Sequence, residues 1–263
     1  MGSWGPHTTR IICLSLSRLW NNTFISDASA ASANGNGCPD QPNACAGLLG
    51  GFFNQQASTT YSKAGSFQAL NTAGEAFPDH KDDVFGSDTL EVNSTISLAN
   101  FPFGVNRGKS DNRNGLGMGR NSTLMNALVS NGTISSKSWS FWNGWTGAEA
   151  QHQMDGSLIL GGYDAAKISG RNITLPFSNE NDCSQGYLVT ISDIKLNLVN
   201  GSTPSILGPS HGSAMKACVA PDYPIISLSI DIWTAFVEAS GVTELGRSFG
   251  TNFFGMLIAN NAS

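Results

Sequence analysis

The stretch "GSLILGGYDAAKISGRNITLPF", residues 156–177, decides how the fold of this chain is interpreted. Its apolar run Leu158–Leu160 has the length of a buried strand, and two consecutive glycines end it. From Cys38 onward, short apolar runs of this kind alternate with Gly, Asn, Ser and Pro on both sides of the stretch. This pattern is typical of a mostly-β domain with many short strands and tight turns.

Periodicity elsewhere in the chain predicts individual elements. Residues 88–105 and 186–202 alternate apolar and polar side chains, as half-buried strands do, and Asn93 marks a turn inside the first segment. Residues 121–132 and 230–241 have apolar side chains at helical spacing and a closing glycine, which predicts two helices. The fold is therefore expected to be mostly β with few helices.

The composition excludes some classes of partner. Charged residues make up 13% of the chain, the net charge is −5 and no cluster of Lys and Arg is present, so nucleic acid is not an expected partner. The apolar run within residues 10–20 is too short to span a membrane, and no other segment is long enough. This run is also a poor signal peptide. Because the low-complexity run "SDASAASANGNG" follows, residues 1–37 are expected to form a flexible leader.

The five cysteines indicate disulfides rather than a metal site. No pair has the C-x-x-C spacing of zinc ligands, and an odd count leaves one thiol over if the others pair. The simplest pairing joins Cys38 to Cys45 and Cys183 to Cys218 and leaves Cys13 free, although spacing alone does not decide the connectivity. Since disulfides persist in oxidising compartments, the cysteines favour a secretory route.

N-glycosylation sequons support the same compartment. Seven N-x-S/T sequons are present, and those at Asn21 and Asn261 lie near the ends of the chain. The predicted glycosylation sites are the other five, Asn93, Asn121, Asn131, Asn172 and Asn200. The chain is therefore expected to be secreted and glycosylated.

Five segments, in order, resemble the pepsin-like aspartic peptidases. "GGFFNQQASTTYS" (50–62) is similar to a loop in which Phe-Asn or Phe-Asp precedes Ser-Ser/Thr-Thr-Tyr/Phe, and "VFGSDTLEV" (84–92) is similar to a Gly-x-Asp-Thr-Val/Leu strand. Residues 114–142 resemble a glycine-rich psi-loop strand followed by a helix. The opening stretch, 156–177, resembles Gly-x-Leu-x-Phe-Gly-Gly-x-Asp…Tyr-x-Gly…Pro and is the most specific match, while 186–197 resemble the strand that opens the second lobe.

This resemblance implies a pepsin-like bilobal acid-protease fold that is incomplete at both ends. Residues 38–177 would form an N-terminal-lobe-like domain without its catalytic strand, and residues 178–263 would form part of a C-terminal-lobe-like domain. The partner would be a polypeptide substrate or ligand in a cleft between the lobes. The chain would be a monomer and would use no cofactor and no metal.

In that family each lobe supplies an Asp-Thr/Ser-Gly motif, and this chain contains neither. The first motif, followed by an x-x-Trp-Val strand, should lie in the N-terminal segment, where Asp27 is the only carboxylate. Aligning "ACVAPDYPIISL" (217–228) on Ala-Ile-Val-Asp-Thr-Gly-Thr-Ser places Ala220 at the second aspartate. The nearest carboxylate, Asp222, would need a two-residue slip that puts Tyr223-Pro224 into the tight turn. Hydrolysis is therefore expected to be lost.

Three functions remain open from the sequence. The leading one is a secreted, glycosylated aspartic-endopeptidase-like domain that is catalytically inactive. The alternatives are a non-catalytic peptide-binding, glycan-binding or inhibitor module on the same scaffold, and an active acid endopeptidase with a carboxylate not identified above.

Other site interpretations are weaker than their structural explanations. A metal site at 78–83 competes with an ordinary charged loop, and His211 as a base competes with a flexible Gly/Ser turn. The glycines of 115–119 fit a psi-loop strand better than a dinucleotide site. The tryptophans of 139–145 fit alternate faces of a strand better than a sugar-stacking platform.

Overall fold

The structure, a computed structural model, describes residues 2–4, 10–12, 14–18, 20–27, 50–66, 84–107, 114–142, 144, 151, 153–178, 183, 186–198, 200–208, 214–220, 226–241, 243–248 and 254–257. The chain divides into two compact units, Met1–Thr174 and Leu175–Ser263. This division lies close to the lobe boundary expected after residue 177.

The first unit is built on one mixed sheet that has eight strands within the described ranges. These strands are β1 (Gly2–Trp4), β2 (Arg10–Ile12), β3 (Ser15–Ser17), β4 (Thr23–Ser26), β5 (Ser62–Ala64), β6 (Val84–Glu91), β7 (Ser97–Asn106) and β8 (Gly115–Gly117). Their spatial order is β2-β1-β6-β7-β4-β8-β3, and β5 pairs with β6. A separate antiparallel pair joins β9 (Trp139–Trp142) to β10 (Ser157–Leu160).

The described part of residues 1–37 forms strands, where the sequence predicts a flexible leader. β4 lies between β7 and β8, so both of its edges are hydrogen-bonded. Its Phe24 and Ile25 point to opposite faces of the sheet, and both are buried. β4 places two apolar side chains next to each other instead of alternating them with polar ones. Its sequence therefore lacks the period-2 pattern that predicts a strand.

The hairpin predicted over residues 88–105 is confirmed. β6 and β7 pair antiparallel around a turn in which the side-chain oxygen of Asn93 accepts a hydrogen bond from the backbone N–H of Ile96 (2.8 Å). Phe101 and Phe103 alternate into the core and are almost fully buried. Burial of a side chain of this size contributes about 1.5–3 kcal/mol, so this hairpin contributes much of the stability of the first unit.

Both predicted helices are also confirmed. α1 (Thr123–Ser130) begins after Ser122, whose hydroxyl oxygen accepts a hydrogen bond from the backbone N–H of Met125 (3.2 Å). α2 (Ile230–Ser240) ends at Gly241, which adopts the left-handed conformation with φ of 63°. No helix among the described residues is long and apolar enough to cross a membrane.

The second unit contains two antiparallel strand pairs within its described ranges. They are β11 (Leu188–Ile191) with β12 (Met215–Cys218) and β13 (Thr243–Ser248) with β14 (Phe254–Leu257). The predicted Cys183–Cys218 disulfide is present, with a Cα–Cα distance of 5.4 Å, and it anchors the end of β12. The other cysteines, Cys13, Cys38 and Cys45, lie outside the described residues. The expected mostly-β fold class is confirmed.

Segments 50–62 and 84–92, two of those that resemble the aspartic peptidases, meet at a buried carboxylate, Asp88 on β6. Its oxygens accept hydrogen bonds from the hydroxyls of Ser58 (2.7 Å) and Thr60 and from the backbone N–H of Thr89 (2.8 Å). The hydroxyl oxygen of Ser58 also accepts a hydrogen bond from the backbone N–H of Tyr61 (3.2 Å). Burial of a carboxylate without such donors costs several kcal/mol. Asp88 therefore fastens the Ser-Thr-Thr-Tyr loop to the sheet and has a structural role.

We expect Asp88→Ala to lower the free energy of unfolding by about 3 kcal/mol or more, because three hydrogen bonds to the carboxylate are lost and their donors remain. The matched control is Asp155→Ala, which removes an exposed carboxylate in the same unit and should change stability by less than about 0.5 kcal/mol. Urea unfolding of both variants measures the difference. Equal midpoints for the two would contradict the structural role of Asp88.

Candidate functional site

In the sheet of the first unit, β8 lies between β3 and β4. These three strands and the segment that joins β3 to β4 are called the floor below. β3 runs parallel to β8 with Ser17 opposite Gly117, and β4 runs antiparallel to β8 with Phe24 opposite Gly115. The chain therefore leaves one side of β8 at Ser17 and returns along its other side. Residues 17–22 make this crossing and are called the β3–β4 connection below.

The glycines of β8 and its extension are required for the close approach of this connection. A Cβ on Gly117 would lie 2.4 Å from the carbonyl oxygen of Asn22, and one on Gly115 would lie 2.5 Å from the Trp20 ring. A Cβ on Gly119 would lie 2.8 Å from the carbonyl oxygen of Trp20. These distances are below any ordinary carbon contact. The Gly-Leu-Gly-Met-Gly spacing is thus explained by backbone packing.

Hydrogen bonds fix the connection in one conformation. The backbone N–H of Gly119 donates to the carbonyl oxygen of Trp20 (2.8 Å), and that of Thr123 donates to the carbonyl oxygen of Asn21 (2.8 Å). The hydroxyl of Thr123 also donates to the side-chain oxygen of Asn22 (2.5 Å). The first residue of α1 therefore holds the same loop that the glycines admit.

The β3–β4 connection contains no carboxylate. Its sequence is Ser-Arg-Leu-Trp-Asn-Asn, which offers hydroxyl, guanidinium, indole and amide groups. Ser17 is 1% exposed, and its hydroxyl has no hydrogen-bond partner among the described residues. None of these groups becomes an anion near neutral pH, so the connection cannot supply an acid–base carboxylate.

Asp27, the carboxylate that sequence analysis assigned to this region, lies beyond the floor. It follows β4 and pairs through its backbone with Phe53. Its carboxylate accepts a hydrogen bond from Nε of Arg107 at 3.0 Å, and the Asp27 side chain is 16% exposed. Asp27 therefore forms an ion pair where β4 and β7 end.

Tyr61, which no sequence motif marked as a site residue, is partly buried, and its hydroxyl is buried. Its ring packs at 5.5 Å from Phe53 and against Gly86, where a Cβ would lie 2.5 Å from the ring. Burial raises the pKa of Tyr61, while Arg107 lowers it and Asp88 raises it to a smaller extent. The phenol is therefore protonated at neutral pH. Its hydroxyl has no hydrogen-bond partner within the described ranges.

The position predicted for the second aspartate falls just after β12. Ala220 is partly buried and has no group that could bind or transfer a proton. Asp222, with the neighbouring prolines and Tyr223, lies outside the described residues.

The structure bears on two of the weaker interpretations, the sugar-stacking tryptophans and the metal site. Trp139 packs against the core of the first unit, and the ring of Trp142 is covered by the ammonium group of Lys167 at 4.2 Å. These two rings therefore do not form one exposed platform. In the described ranges no group of three or more His, Cys, Asp or Glu side chains could hold a metal ion, while 78–83 and His211 lie outside those ranges.

No local pattern in the sequence marks the β3–β4 connection as a structured element. The available signal was the apolar pair Phe24-Ile25, which stands where an x-x-Trp-Val strand was expected before Cys38. The composition of residues 1–37 differs from the rest of the chain, so this apolar pair alone did not indicate the strand.

Comparisons with known proteins agree on one family. A family model described as "Eukaryotic aspartyl protease" matches residues 36–205. The probable aspartic-type endopeptidase opsB of Aspergillus oryzae is 24% identical in an alignment of 224 positions that covers 78% of this chain and 42% of that protein. Its namesake in Aspergillus fumigatus is 23% identical in an alignment of 251 positions that covers 87% of this chain and 49% of that protein.

A solved structure supports the same fold. The aspartic proteinase from Irpex lacteus matches with a TM-score of 0.54 and 17% sequence identity, over 92% of this chain and 64% of that one. This likeness confirms the expected pepsin-like fold. The chain spans less than half the length of the two curated relatives.

We expect Gly117→Ala to destabilise the first unit by about 1–3 kcal/mol, because the new methyl group would overlap the Asn22 carbonyl and displace the β3–β4 connection. Gly162→Ala is the matched control, since a Cβ there meets no atom within 4 Å. Chemical denaturation of both variants measures the effect. A Gly117 variant as stable as the Gly162 variant would contradict the close packing described for the floor.

Proposed function

The chain belongs to the eukaryotic aspartyl protease family, and we propose that it is an aspartic-endopeptidase-like domain that does not hydrolyse peptide bonds. The observation that carries this proposal is the β3–β4 connection, whose described residues are closely packed and whose sequence contains no carboxylate. The activity of any longer protein that contains this chain is part of the same proposal.

The reaction of this family requires two carboxylates that face each other. Two like charges held close together cannot both ionise cheaply, so the pair shares one proton. One carboxylate then activates a water molecule while the other protonates the carbonyl oxygen of the substrate. Loss of either carboxylate removes one of these roles.

The first carboxylate should come from the β3–β4 connection. In the family the Asp-Thr/Ser-Gly motif precedes an x-x-Trp-Val strand, and β4, with Phe24 and Ile25 at its centre, takes the place of that strand. The residues before β4 are those of the connection, and Ser17 is the first of them at the end of β3. A buried serine hydroxyl stands where the strand leaves the sheet.

Asp27 is a poor substitute for that carboxylate. It lies after β4 rather than before it, and its nearest charged partner is the guanidinium of Arg107 at 3.0 Å. A dyad instead needs a second carboxylate at that distance, with the two sharing one proton. The ion pair supports a structural role for Asp27 at the end of the strand.

The second position supports the same proposal. Ala220 replaces the aspartate in the motif alignment, and a register that uses Asp222 instead brings Tyr223-Pro224 into the turn. Proline has no N–H to donate to a carboxylate network. On this proposal neither of the two Asp-Thr/Ser-Gly positions supplies a catalytic carboxylate.

A non-catalytic peptide-binding module is the second candidate function. The observation that favours it is that the floor keeps its glycines and hydrogen bonds although its chemistry is absent. Such a floor could still accept an extended polypeptide. A glycan ligand on the tryptophans is less favoured, because Trp139 packs on the core and Lys167 covers Trp142.

We also propose that the chain follows the secretory route and carries N-glycans. The five predicted asparagines are all exposed: Asn93, Asn121, Asn131, Asn172 and Asn200. At two of them the side-chain oxygen accepts a hydrogen bond from the hydroxyl of the same sequon, from Thr95 at 2.9 Å and from Ser202 at 2.7 Å. This leaves the amide nitrogen, which carries a glycan, unengaged by that bond. The Cys183–Cys218 disulfide supports the same compartment.

We expect no turnover of a denatured protein substrate at about pH 3–5, the range in which a carboxylate pair would share one proton. The measurement is the release of peptides by the purified chain, with and without a transition-state-mimicking inhibitor of aspartic peptidases. An active aspartic peptidase in the same buffer is the positive control.

Inhibitor-sensitive cleavage would overturn the proposal. Asp27→Asn then identifies the source, because cleavage that this variant abolishes would assign the first carboxylate to Asp27. Binding of a peptide without cleavage would support the second candidate function.

We expect the chain expressed in a eukaryotic secretory host to lose mass on treatment with an N-glycosidase. Thr95→Ala and Ser202→Ala should each remove one glycan, since each destroys one exposed sequon. Thr89→Ala, which lies in no sequon, is the control for an altered threonine. Intact-mass spectrometry measures the loss. An unmodified chain recovered from the medium would contradict the glycosylation proposal.

A further inference from the structure

Two neighbouring buried side chains in the first unit have no hydrogen-bond partner among the described residues. They are Ser26, the last residue of β4, and Asn106, the last residue of β7. Both are 0% exposed. The hydroxyl of Ser26 and both polar atoms of the Asn106 amide are without partners in this part of the chain. Buried polar groups of this kind are rare in native proteins, because each carries an uncompensated desolvation cost.

The strand register places these two side chains together. β4 and β7 are parallel, and Ser26 and Asn106 are direct register partners. Side chains at paired positions point to the same face of the sheet, and neighbouring strands lie about 4.8 Å apart. The two side chains therefore face the same space at this end of the sheet.

Hydrogen bonds hold the backbone at both strand ends in place. The side-chain oxygen of Asn114 accepts a hydrogen bond from the backbone N–H of Ser26 (2.7 Å), and the carbonyl oxygen of Asn106 accepts one from Asp27 (3.2 Å). The next residues, Asp27 and Arg107, form the ion pair described above. The side chains of Ser26 and Asn106 make no hydrogen bond to each other in this arrangement.

We propose that one ordered water molecule bridges the Ser26 hydroxyl and the Asn106 amide. A single water oxygen can bond two polar atoms that are too far apart for a direct hydrogen bond, up to roughly 5 Å from each other. Asn106 offers an NH₂ donor group and an acceptor oxygen, and Ser26 offers a hydroxyl that can donate or accept. A water molecule there would make about three hydrogen bonds, as a typical buried water does. The bridge would join the side chains at the ends of two parallel strands, next to the backbone hydrogen bond from Asp27 to Asn106.

A double-mutant cycle tests the bridge. We expect Asn106→Leu to lower the folding equilibrium constant about tenfold or more, because the water loses its partners and the Ser26 hydroxyl is left unsatisfied. Ser26→Ala should also destabilise the protein, and the double variant should lose clearly less than the product of the two single effects. Denaturant unfolding gives all four constants.

Ser17→Ala is the matched control. Ser17 is equally buried and its hydroxyl is equally without a partner in the described residues, but its register partner is Gly117, which has no polar side chain. Its removal is expected to leave the equilibrium constant unchanged or to raise it. A loss as large as that of Ser26→Ala would overturn the proposal, because any buried hydroxyl would then behave alike.

A crystal structure of the unaltered chain provides the second readout. Density for a water oxygen within hydrogen-bonding distance of both side chains is the expected result. An empty site, a direct Ser26–Asn106 hydrogen bond, or an Asn106→Leu variant at least as stable as the parent would each overturn the proposal. The last outcome is decisive because removal of an unpaired polar group from a dry site relieves its desolvation cost.

Discussion

The contact between the β3–β4 connection and the glycines of β8 is the constraint on which the first unit depends. At Gly117 the backbone of Asn22 lies where a Cβ would be, so no other residue fits without displacing the loop. If the loop moved, Thr123 would lose its acceptors and β4 would lose one of its two neighbours. Glycine costs folding entropy at each such position, roughly 0.5–1 kcal/mol relative to alanine. That cost is offset by a central strand hydrogen-bonded on both edges.

At the floor, the packing of the backbone does not depend on the presence of catalytic carboxylates. A working acid dyad brings two carboxylates together, and their repulsion has to be balanced by a network of donors. The connection in this chain contains neutral side chains and one arginine, so no such repulsion has to be balanced there. The proposed loss of hydrolysis is thus compatible with a stable, specific shape, because the packing of the glycines does not depend on the carboxylate.

The buried polar groups of the first unit fall into two sets, those with hydrogen-bond partners and those without a partner among the described residues. Asp88 is satisfied by hydroxyls and a backbone N–H from its own motif pair, and Asn114 joins Ser26 to the carbonyl oxygen of Gly51. These side chains fasten the segment 50–66 to the sheet where strand ladders do not reach. The Ser26 hydroxyl and the Asn106 amide have no such partner in the described ranges, which is where a water molecule is proposed.

The sequence by itself determined the mostly-β class, the hairpin of β6 and β7, both helices and the absence of both catalytic motifs, and it suggested the Cys183–Cys218 pairing. These depend on local periodicity, capping residues and composition, which a single sequence displays. Only the tertiary structure decided that residues 10–12, 15–17 and 23–26 are strands and that Asp27 faces a guanidinium. The reason is physical: β4 is buried on both faces and so lacks alternation, and its partners lie far away in sequence. Arg107 is 80 residues from Asp27, and Thr123 is 101 residues from Asn22, so no local pattern could indicate that they meet.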